Sequence, residues 1–341
     1  MSHSIFQLST PVAFVVFNRH DCTRRVLGRI KQAAPPLLFV IADGPRSGVE
    51  GDVAAVAAVR RIVEEEVDWD CEVVKEYADV NLGLRGRLPS GLTRVFRAVD
   101  QAIVLEDDCL PDPTFFRYCE ELLDRYRSEP RVMHISGLNL QDGKEFGAQS
   151  YYFSRYALPP WGWASWRRAW EQYDVDMLTL PQFKAERRIR SLFRPRLEQF
   201  HKQWMFQDAY DDGRDPPARP SGRRPESLRS WDYQWQYAVS SAPALAVHPN
   251  VNLIQNIGFG PDATHTRNTH RRWQTNHCQP VEFPLRHPAT PTVDEAADAR
   301  FYRLNVRREV YAYLLKMALP RPLFSAVVRA YRAIGGSRPI D

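Results

Sequence analysis

The residues whose chemistry is most readily interpreted are three consecutive acids, Glu106, Asp107 and Asp108, which end an apolar run. Adjacent carboxylates repel one another, so fold stability alone does not favour them there. The short apolar run before them is typical of a buried strand in a parallel sheet, and ligands of open α/β sheets bind outside the carboxyl ends of strands. Carboxylate oxygens at such an edge suit Mg²⁺ or Mn²⁺ shared with a substrate phosphate. The segment therefore predicts a metal–phosphate site.

A helix cap is the alternative interpretation of this segment. Asp112 precedes Pro113 and an apolar pattern of helical spacing, which is typical of the start of a helix. Capping accounts for Asp112 but not for the three acids before the turn, and we therefore favour the metal–phosphate interpretation for those acids.

Polar residues also follow the three apolar runs that precede the acids. Asn18 and Arg19 follow the first run, Asp43 the second, and Arg85 lies in a polar loop after the third. Helical patterns separate these runs, and strands that alternate with helices predict an α/β fold with a mostly parallel sheet flanked by helices. Since the strands end at one edge, we expect these side chains to converge with Glu106. Any one of these signals alone indicates only a turn.

An aromatic segment follows in the second half of the chain. Trp163, Trp166 and Trp170 have the spacing of one helical face, which predicts a core-facing stripe. Trp161 and Gly162 precede that face. Glycine allows close approach of the backbone to a ligand, and Trp161 could offer a surface on which a sugar stacks.

Two further segments could contribute polar groups. Asp232 lies between Trp231 and Trp235 at the start of a predicted helix, where it could either complement the helix dipole or act as a carboxylate with apolar walls. A glycine-bearing loop with Thr264 and His265 carries donors of the types that fold over phosphates, although an ordinary surface turn is the alternative.

Composition limits the possible classes of protein. The 341 residues are 44% apolar and 26% charged with a net charge of +5, which is ordinary for a soluble globular protein. No nucleic-acid recognition motif is apparent, so we expect no nucleic-acid partner. The five cysteines lack paired spacing and predict reduced thiols. With no signal peptide or long apolar run, we expect a cytoplasmic protein.

The end of the chain differs from the rest. We place a domain boundary after residue 275, with a principal domain at 1–275 and a basic, mostly helical extension at 276–341. Apolar residues at helical spacing, interspersed with Lys and Arg, predict amphipathic cationic helices there. Such helices could contact an anionic membrane surface peripherally or could pack against the main domain.

The motifs in their order resemble a known family. The matching runs are Pro11 to Arg19, Ala42-Asp43-Gly44, Asn81-Leu82-Gly83, Leu105 to Asp108, Trp161-Gly162-Trp163, Trp231 to Trp235 and Asn256 to Gly260. Together they resemble the bacterial hemolytic-protein-like nucleotide-diphospho-sugar transferases, which are glycosyltransferases of the GT-A (Rossmann-like) fold. They are more distantly similar to the alpha-1,3-mannosyl-glycoprotein N-acetylglucosaminyltransferase of eukaryotes. The resemblance covers roughly residues 10 to 267.

The resemblance to the eukaryotic enzyme implies roles for the matching nucleotide-binding residues. Arg19 and Asp43 match residues that hold the nucleotide base, and Glu106 matches one that contacts the ribose. Thr264 and His265 match a Ser-His loop that closes over the diphosphate, with Thr in place of Ser. Five other positions complete the predicted donor site on combined grounds of resemblance and local chemistry: Asn18, Arg85, Asp107, Trp161 and Gly162.

The resemblance also implies a mechanism. Asp108 matches the acid that binds Mn²⁺, and Asp232 matches the catalytic base. The implied reaction is metal-dependent inverting transfer of a sugar, with Mn²⁺ or Mg²⁺ as cofactor, from a nucleotide-diphosphate donor (a UDP-sugar by preference) to a glycan or lipid-linked acceptor. The Arg- and Pro-rich insert after Asp211 has no counterpart in the eukaryotic enzyme.

Three alternatives remain open. A nucleotidyltransferase could share the sheet and the acids, but it normally has a glycine-rich loop after the first strand, where this chain has none. A phosphatase with an aspartyl nucleophile would need Asp at the position of Asn18. A non-catalytic protein that binds glycans or nucleotide-sugars is the third alternative.

Overall fold

The computed structural model describes residues 6–212, 231–259 and 276–307, together with residues 310, 311 and 314. Strands and helices alternate through the first part, as the sequence predicts. The elements are β1 (Val12–Val16), α1 (His20–Ala33), β2 (Leu37–Ala42), α2 (Asp52–Glu66), β3 (Glu72–Tyr77), α3 (Gly83–Ala98) and β4 (Gln101–Glu106).

The second part is less regular. Its elements are β5 (Cys109–Pro111), α4 (Thr114–Arg125), β6 (Val132–Ser136), β7 (Tyr151–Ser154), β8 (Trp163–Trp166), α5 (Arg167–Trp170), α6 (Leu180–Ala185), α7 (Ile189–Leu192), α8 (Arg196–Asp212), α9 (Asp232–Ser241), β9 (Leu245–Pro249), β10 (Ile254–Asn256), α10 (Glu295–Phe301) and a π-helix (Tyr302–Val306).

The central sheet has eight strands in the order β3-β2-β1-β4-β8-β6-β9-β7. Strands β3, β2, β1 and β4 are parallel, as are β6 and β9, whereas β8 and β7 pair antiparallel with their neighbours. The predicted α/β class, a mostly parallel sheet flanked by helices and consistent with the GT-A (Rossmann-like) fold, is therefore confirmed. The strand order reverses between β1 and β4, which is where ligands bind in open sheets of this kind.

Hydrophobic clusters cover both faces of the sheet. Along β1, Val12, Phe14 and Val16 face one cluster, while Ala13 and Val15 face the other. Helices α1, α2 and α4 contribute to the first cluster and α3, α5 and α9 to the second. This alternation explains why β1 is apolar throughout, since both of its faces are covered.

The predicted helical face of three tryptophans is wrong. Trp163 and Trp166 lie in β8, on opposite sides of the sheet, and only Trp170 lies in the short helix that follows. Strand β8 pairs antiparallel with both β4 and β6. Because this pairing is with distant parts of the chain, local spacing could not reveal it.

A second, two-stranded sheet stands beside the acidic segment. Strand β5 pairs antiparallel with β10, with Cys109 opposite Asn256 and Pro111 opposite Ile254. Asp112, the predicted cap, accepts a hydrogen bond from the backbone N–H of Thr114, 2.9 Å away, at the start of α4.

The described part of the predicted extension packs on the main body. Val281 and Leu285 join the cluster on one face of the sheet, and Phe301 packs against Tyr156 with ring centroids 4.5 Å apart. The division after residue 275 stays a prediction, and most of the predicted cationic helices lie outside the described residues. Within the described part of the chain, no helix combines the length and apolar character needed to cross a membrane.

Candidate active site

The three acids lie beside the ends of β1 and β10. Glu106 ends β4, and the carboxylate of Asp107 accepts a hydrogen bond from the backbone N–H of Phe17, 3.2 Å away, just after β1. The backbone carbonyl of Asp108 accepts a hydrogen bond from Ile257 N, 2.8 Å away, just after β10. The acidic segment is thus fixed by the main sheet on one side and by the two-stranded sheet on the other.

Arg19 joins the acids as predicted. Its Nη1 atom lies 2.7 Å from Asp108 Oδ2 and 3.9 Å from Asp107 Oδ1. The residue lies three positions after the end of β1 and directly before the first residue of α1, so this short connection brings the guanidinium to the neighbouring strand end.

Repulsion between carboxylates, only partly offset by Arg19, dominates the electrostatics of this segment. Burial and the charges of Asp108, Asp107 and Asp232 raise the pKa of Glu106 well above its ordinary value. Burial and the charge of Asp108 raise the pKa of Asp107 to about 7, which Arg19 offsets only in part. A cation would therefore stabilise the segment by reducing the repulsion between its carboxylates.

Asp232 approaches the same acids from helix α9. It is the first residue of that helix, is half-buried, and accepts a hydrogen bond from the backbone N–H of Tyr233, 3.0 Å away. Its charge contributes to the raised pKa of Glu106, so the two carboxylates lie within electrostatic range. Trp231 and Trp235 on either side of it are buried.

A stack of aromatic rings supports the start of α9. The ring of Trp163 stacks on that of Trp231 with centroids 5.8 Å apart. Trp235 Nε1 donates a hydrogen bond to Nδ1 of His134, 3.1 Å away, in strand β6. Burial lowers the pKa of His134 well below its ordinary value, which keeps the ring neutral and Nδ1 able to accept. His134 is not recognisable from the sequence as a site residue, because its neighbours form an apolar run that is typical of a strand.

Arg85 lies near α9 but not in the predicted loop. Helix α3 already begins at Gly83, so Arg85 occupies its first turn. Its Nη2 atom donates a hydrogen bond to the carbonyl of Val175, 3.1 Å away. Tyr173, which lies within electrostatic range of both Arg85 and Asp232, donates a hydrogen bond to the carbonyl of Trp231, 3.2 Å away.

Asp43 organises the start of α3. Its carboxylate accepts hydrogen bonds from the backbone N–H groups of Leu82 and Gly83, each 2.9 Å away, and from the side chain of Asn81. The start of the helix is therefore satisfied by an acid from the end of β2, which explains how a segment rich in Gly and Pro becomes helical. The predicted contact of Asp43 with a nucleotide base stays a prediction.

Asn18 is tied to another helix. Its amide donates a hydrogen bond to Asp52 Oδ1, 2.7 Å away, at the start of α2. Asp52 also pairs with Arg46, 2.8 Å away, which with the hydrogen bond of Asn18 lowers its pKa to about 2. The described contact of Asn18 is therefore with a helix start rather than with the acidic segment.

Gly162 is required for a different reason from the predicted one. Its φ is +61°, and a Cβ atom there would lie 2.3 Å from Cδ1 of Ile254. The close approach is thus to a protein side chain. Trp161 is half-buried with its ring 6.1 Å from that of Phe259, centroid to centroid. Contact of either residue with a donor stays a prediction.

Gly258 is a site residue that the sequence analysis did not single out. A Cβ atom there would lie 2.3 Å from Asp108 Oδ2 and 2.7 Å from Arg19 Nη1. The ion pair therefore packs directly on the backbone of this glycine. The recurrence of glycine in the Gly258-Phe259-Gly260 run is the signal that could have indicated it.

The acids are suited to hold part of the coordination shell of a divalent cation. Their ligand atoms are hard carboxylate oxygens, and their mutual repulsion is only partly relieved by Arg19. Among the described residues, no three or more His, Cys, Asp or Glu side chains form a group that could hold a metal ion by themselves. Such a set fits Mg²⁺ or Mn²⁺ that takes its remaining ligands from substrate phosphate and water.

The structure brings Arg19 together with Asp107 and Asp108 and places Asp232, from α9, within electrostatic range of Glu106. The predicted phosphate-covering residues Thr264 and His265 lie outside the described residues.

Comparisons with known proteins place these features in context. No protein-family model matches the chain, and no curated protein matches it significantly. Among solved structures, the chain is similar to a mannosyltransferase from Pyrobaculum calidifontis in complex with GDP-Man and Mn²⁺, with a TM-score of 0.33 and 16% identity over 49% of this chain and 47% of that one.

Two further structures show similarities of the same size. A galactosyltransferase, LgtC, in complex with donor and acceptor sugar analogues has a TM-score of 0.28 and 13% identity over 52% of this chain and 66% of its own. A UDP-glucose pyrophosphorylase complexed with UDP-glucose has a TM-score of 0.29 and 8% identity over 48% of this chain and 79% of its own. The chain thus spans about half the length of the mannosyltransferase, and these similarities do not identify an activity.

Proposed function

We propose that the protein is a glycosyltransferase that moves a sugar from a nucleotide-diphosphate donor, a UDP-sugar by preference, to a hydroxyl of a glycan or lipid-linked acceptor. The observation that supports this proposal is that Asp232 lies within electrostatic range of Glu106, which ends β4 beside the point where the strand order reverses. A transferase needs two kinds of group at one place: one that neutralises a departing diphosphate and one that accepts a proton from the incoming hydroxyl.

Asp108, with Asp107 beside it, would hold the divalent cation. A bound Mn²⁺ or Mg²⁺ ion supplies a Lewis acid, which typically stabilises the developing charge on phosphate oxygens by several kcal/mol. The protein also provides a cationic side chain at these acids, that of Arg19, which pairs with Asp108. The resemblance implies a contact of Arg19 with the nucleotide base, but its ion pair with Asp108 favours a contact with the diphosphate instead. A guanidinium can donate two hydrogen bonds to one phosphate, so Arg19 can hold a donor phosphate once it turns from Asp108.

Asp232 would act as the general base. The carboxylate sits at the start of α9, is half-buried, and lies in sequence between two buried tryptophans, Trp231 and Trp235. Removal of the proton from the acceptor hydroxyl during attack contributes about 10²- to 10⁴-fold to the rate of such reactions. Direct displacement at the anomeric carbon inverts its configuration, and inversion is the stereochemical outcome that we propose.

A thermal-shift panel tests this proposal. We expect one nucleotide-sugar, tested with Mn²⁺, to raise the melting temperature, because a ligand that binds only the folded state stabilises it in proportion to the logarithm of its concentration over Kd. The nucleotide-sugar that stabilises the protein is then incubated with the protein and Mn²⁺ in the absence of an acceptor. Slow release of its nucleotide reports metal-dependent hydrolysis.

The Asp108→Asn variant is the matched control, since it keeps the size of the side chain and removes the charge. We expect it to lose the Mn²⁺-dependent part of the shift. If no nucleotide-sugar stabilises the unmodified protein, with or without Mn²⁺, the proposed function is wrong. Stabilisation without any hydrolysis or transfer would favour the non-catalytic binding protein.

A further inference from the structure

A cationic side chain, that of Arg19, already lies against the acidic segment. Arg19 Nη1 lies 2.7 Å from Asp108 Oδ2 and 3.9 Å from Asp107 Oδ1, and all three side chains are mostly shielded from water, with side-chain exposures of 20%, 14% and 11% respectively. In such surroundings an ion pair is less screened than at the surface and contributes more.

The surrounding backbone holds this pair in place. Arg19 immediately precedes α1, and its carbonyl accepts the hydrogen bond from the backbone N–H of Thr23, 2.9 Å away. On the other side, Gly258 leaves no space for a Cβ atom against either the guanidinium or the carboxylate. The backbone of Asp108 is also held in place, because its carbonyl accepts a hydrogen bond from the backbone N–H of Ile257. The pair is therefore built into the structure.

A guanidinium and a divalent cation cannot both use Asp108 Oδ2 at short range. They would lie within a few ångströms of each other, where like charges repel. We propose that Arg19 competes with the divalent cation for Asp108, and that it releases the carboxylate when the diphosphate of a donor offers it another anionic partner. Metal and nucleotide then bind as a coupled pair. The part of this inference that concerns the donor rests on the proposed function, whereas the competition with metal does not.

The proposal makes a specific statement about affinity. If binding of the metal alone must displace Arg19, metal alone binds weakly, and removing the guanidinium strengthens that binding. If the diphosphate accepts Arg19, metal strengthens nucleotide binding and nucleotide strengthens metal binding by the same factor, since coupling of this kind is reciprocal. Removing the guanidinium reduces that factor.

The test measures binding of Mn²⁺ alone to the full chain, from the electron paramagnetic resonance signal of free Mn²⁺. We expect Arg19→Met to bind Mn²⁺ about tenfold more tightly than the unmodified protein, since about 1.4 kcal/mol of competing interaction corresponds to tenfold in Kd. Arg19→Lys keeps a positive charge, so we expect this variant to bind Mn²⁺ as weakly as the unmodified protein does. Arg24→Met, in the helix that Arg19 precedes but paired with Glu66 at 2.7 Å, is the matched control and should bind Mn²⁺ as the unmodified protein does.

A second readout guards against loss of folding in the Arg19→Met variant. The increase in melting temperature on addition of Mn²⁺ should be larger for Arg19→Met than for the unmodified protein, because the acids then lack their cation. The inference is overturned if Arg19→Met binds Mn²⁺ no more tightly than the unmodified protein and gains no additional stabilisation from it. The proposed function, by contrast, stands or fails on the nucleotide-sugar panel with the unmodified protein.

Discussion

The charge of the Asp232 carboxylate is the property on which the proposed chemistry depends. Asp232→Asn keeps the shape of the side chain but can no longer accept a proton, so we expect transfer to fall by at least a hundredfold. Donor affinity should stay within about threefold, because we place the donor phosphates at Asp108 and Arg19 and assign Asp232 only the proton of the acceptor. Initial rates with a radiolabelled donor and calorimetric binding of the same donor measure the two effects.

Asp68→Asn is the control for that substitution. Asp68 is exposed and pairs with Lys31, 2.5 Å away, outside the site. We expect it to leave both transfer and donor binding unchanged. An Asp232→Asn enzyme that retained more than a tenth of the normal rate would show that another group is the base.

Gly258→Ala tests the close packing around the ion pair. A Cβ atom there would lie 2.3 Å from Asp108 Oδ2, so the carboxylate or the loop must shift. We expect Mn²⁺-dependent donor binding to weaken by about tenfold or more, which corresponds to at least ~1.4 kcal/mol. Calorimetric titration of the donor in the presence of Mn²⁺ checks this.

Gly28→Ala is the matched control for the glycine substitution. Gly28 lies in α1, and a Cβ atom there would meet nothing within 4 Å. Alanine in a helix is favoured over glycine by about 1 kcal/mol, so the control should melt slightly higher and bind donor normally. Equal donor affinity in the two alanine variants would argue against tight packing at the acids.

At the scale of single residues, the predicted convergence on the acids is seen for Arg19, whereas the contacts of Asn18 and Asp43 are with the starts of α2 and α3. Arg19 and Asp108 lie at adjacent strand ends as expected. The sequence predicts that the backbone at Gly162 lies close to a ligand, but the side chain of Ile254 fills the space beside it. That contact joins parts of the chain that are distant in sequence, and spacing along the chain holds no information about it.

At the scale of elements, the position of α9 depends on a buried hydrogen bond. Trp235 donates to His134, whereas the indole nitrogen of Trp163, which is also buried, has no hydrogen-bond partner among the residues that the structure describes. Trp235→Phe and Trp163→Phe thus remove the same atoms, but only the first removes a hydrogen bond. We expect Trp235→Phe to lower the free energy of unfolding by about 1–3 kcal/mol more than Trp163→Phe does.

Urea-induced unfolding of the two variants measures this difference. Because α9 carries Asp232, we also expect a larger fall in kcat for Trp235→Phe than for Trp163→Phe. Equal losses of stability in the two variants would mean that the hydrogen bond to His134 does not fix the helix.

The elements of the first half were predictable because their patterns are local. The inward faces of α1 and α2 follow from periodicity, with Val26 and Ile30 buried in one helix and Val56 and Val59 in the other. The first turns of α3 were not predictable in this way. Their sequence favours a loop, and the helix begins there because Asp43, from another element, accepts its first N–H groups.

At the scale of the whole molecule, burial of neutral histidines makes stability depend on pH. Burial and the charge of Lys202 lower the pKa of His201 to about 3. Between pH 6.5 and 3 the unfolded chain binds a proton there that the folded protein does not, so this histidine increasingly destabilises the fold as the pH falls.

His201→Leu should therefore become more stable relative to the unmodified protein by about 2 kcal/mol between pH 7.5 and pH 5. Unfolding free energies of both proteins at the two pH values measure this. A difference in stability that did not change with pH would show that His201 titrates normally in the fold.

The arrangement of the complete sheet was only half predictable. Alternating strands and helices predicted that β1, β2, β3 and β4 are parallel. The pattern does not predict that β4 lies beside β1, because the connection from β3 to β4 passes two strands. The insertion of β8 between β4 and β6 could not be inferred, because the pairing partners of that strand come from different regions of the chain. The packing of residues 276–307 on the main body is a long-range effect of the same kind.

The pairing of β5 with β10 has a consequence for synthesis of the protein. When only the first half of the chain has been synthesised, the parallel strands β1 to β4 are present. Asp108 then still lacks its contacts with Ile257 and Gly258, which are synthesised later. Pairing between such distant segments forms slowly. We therefore expect nascent or truncated chains to remain unable to capture the cation, so that metal uptake reports completion of the fold.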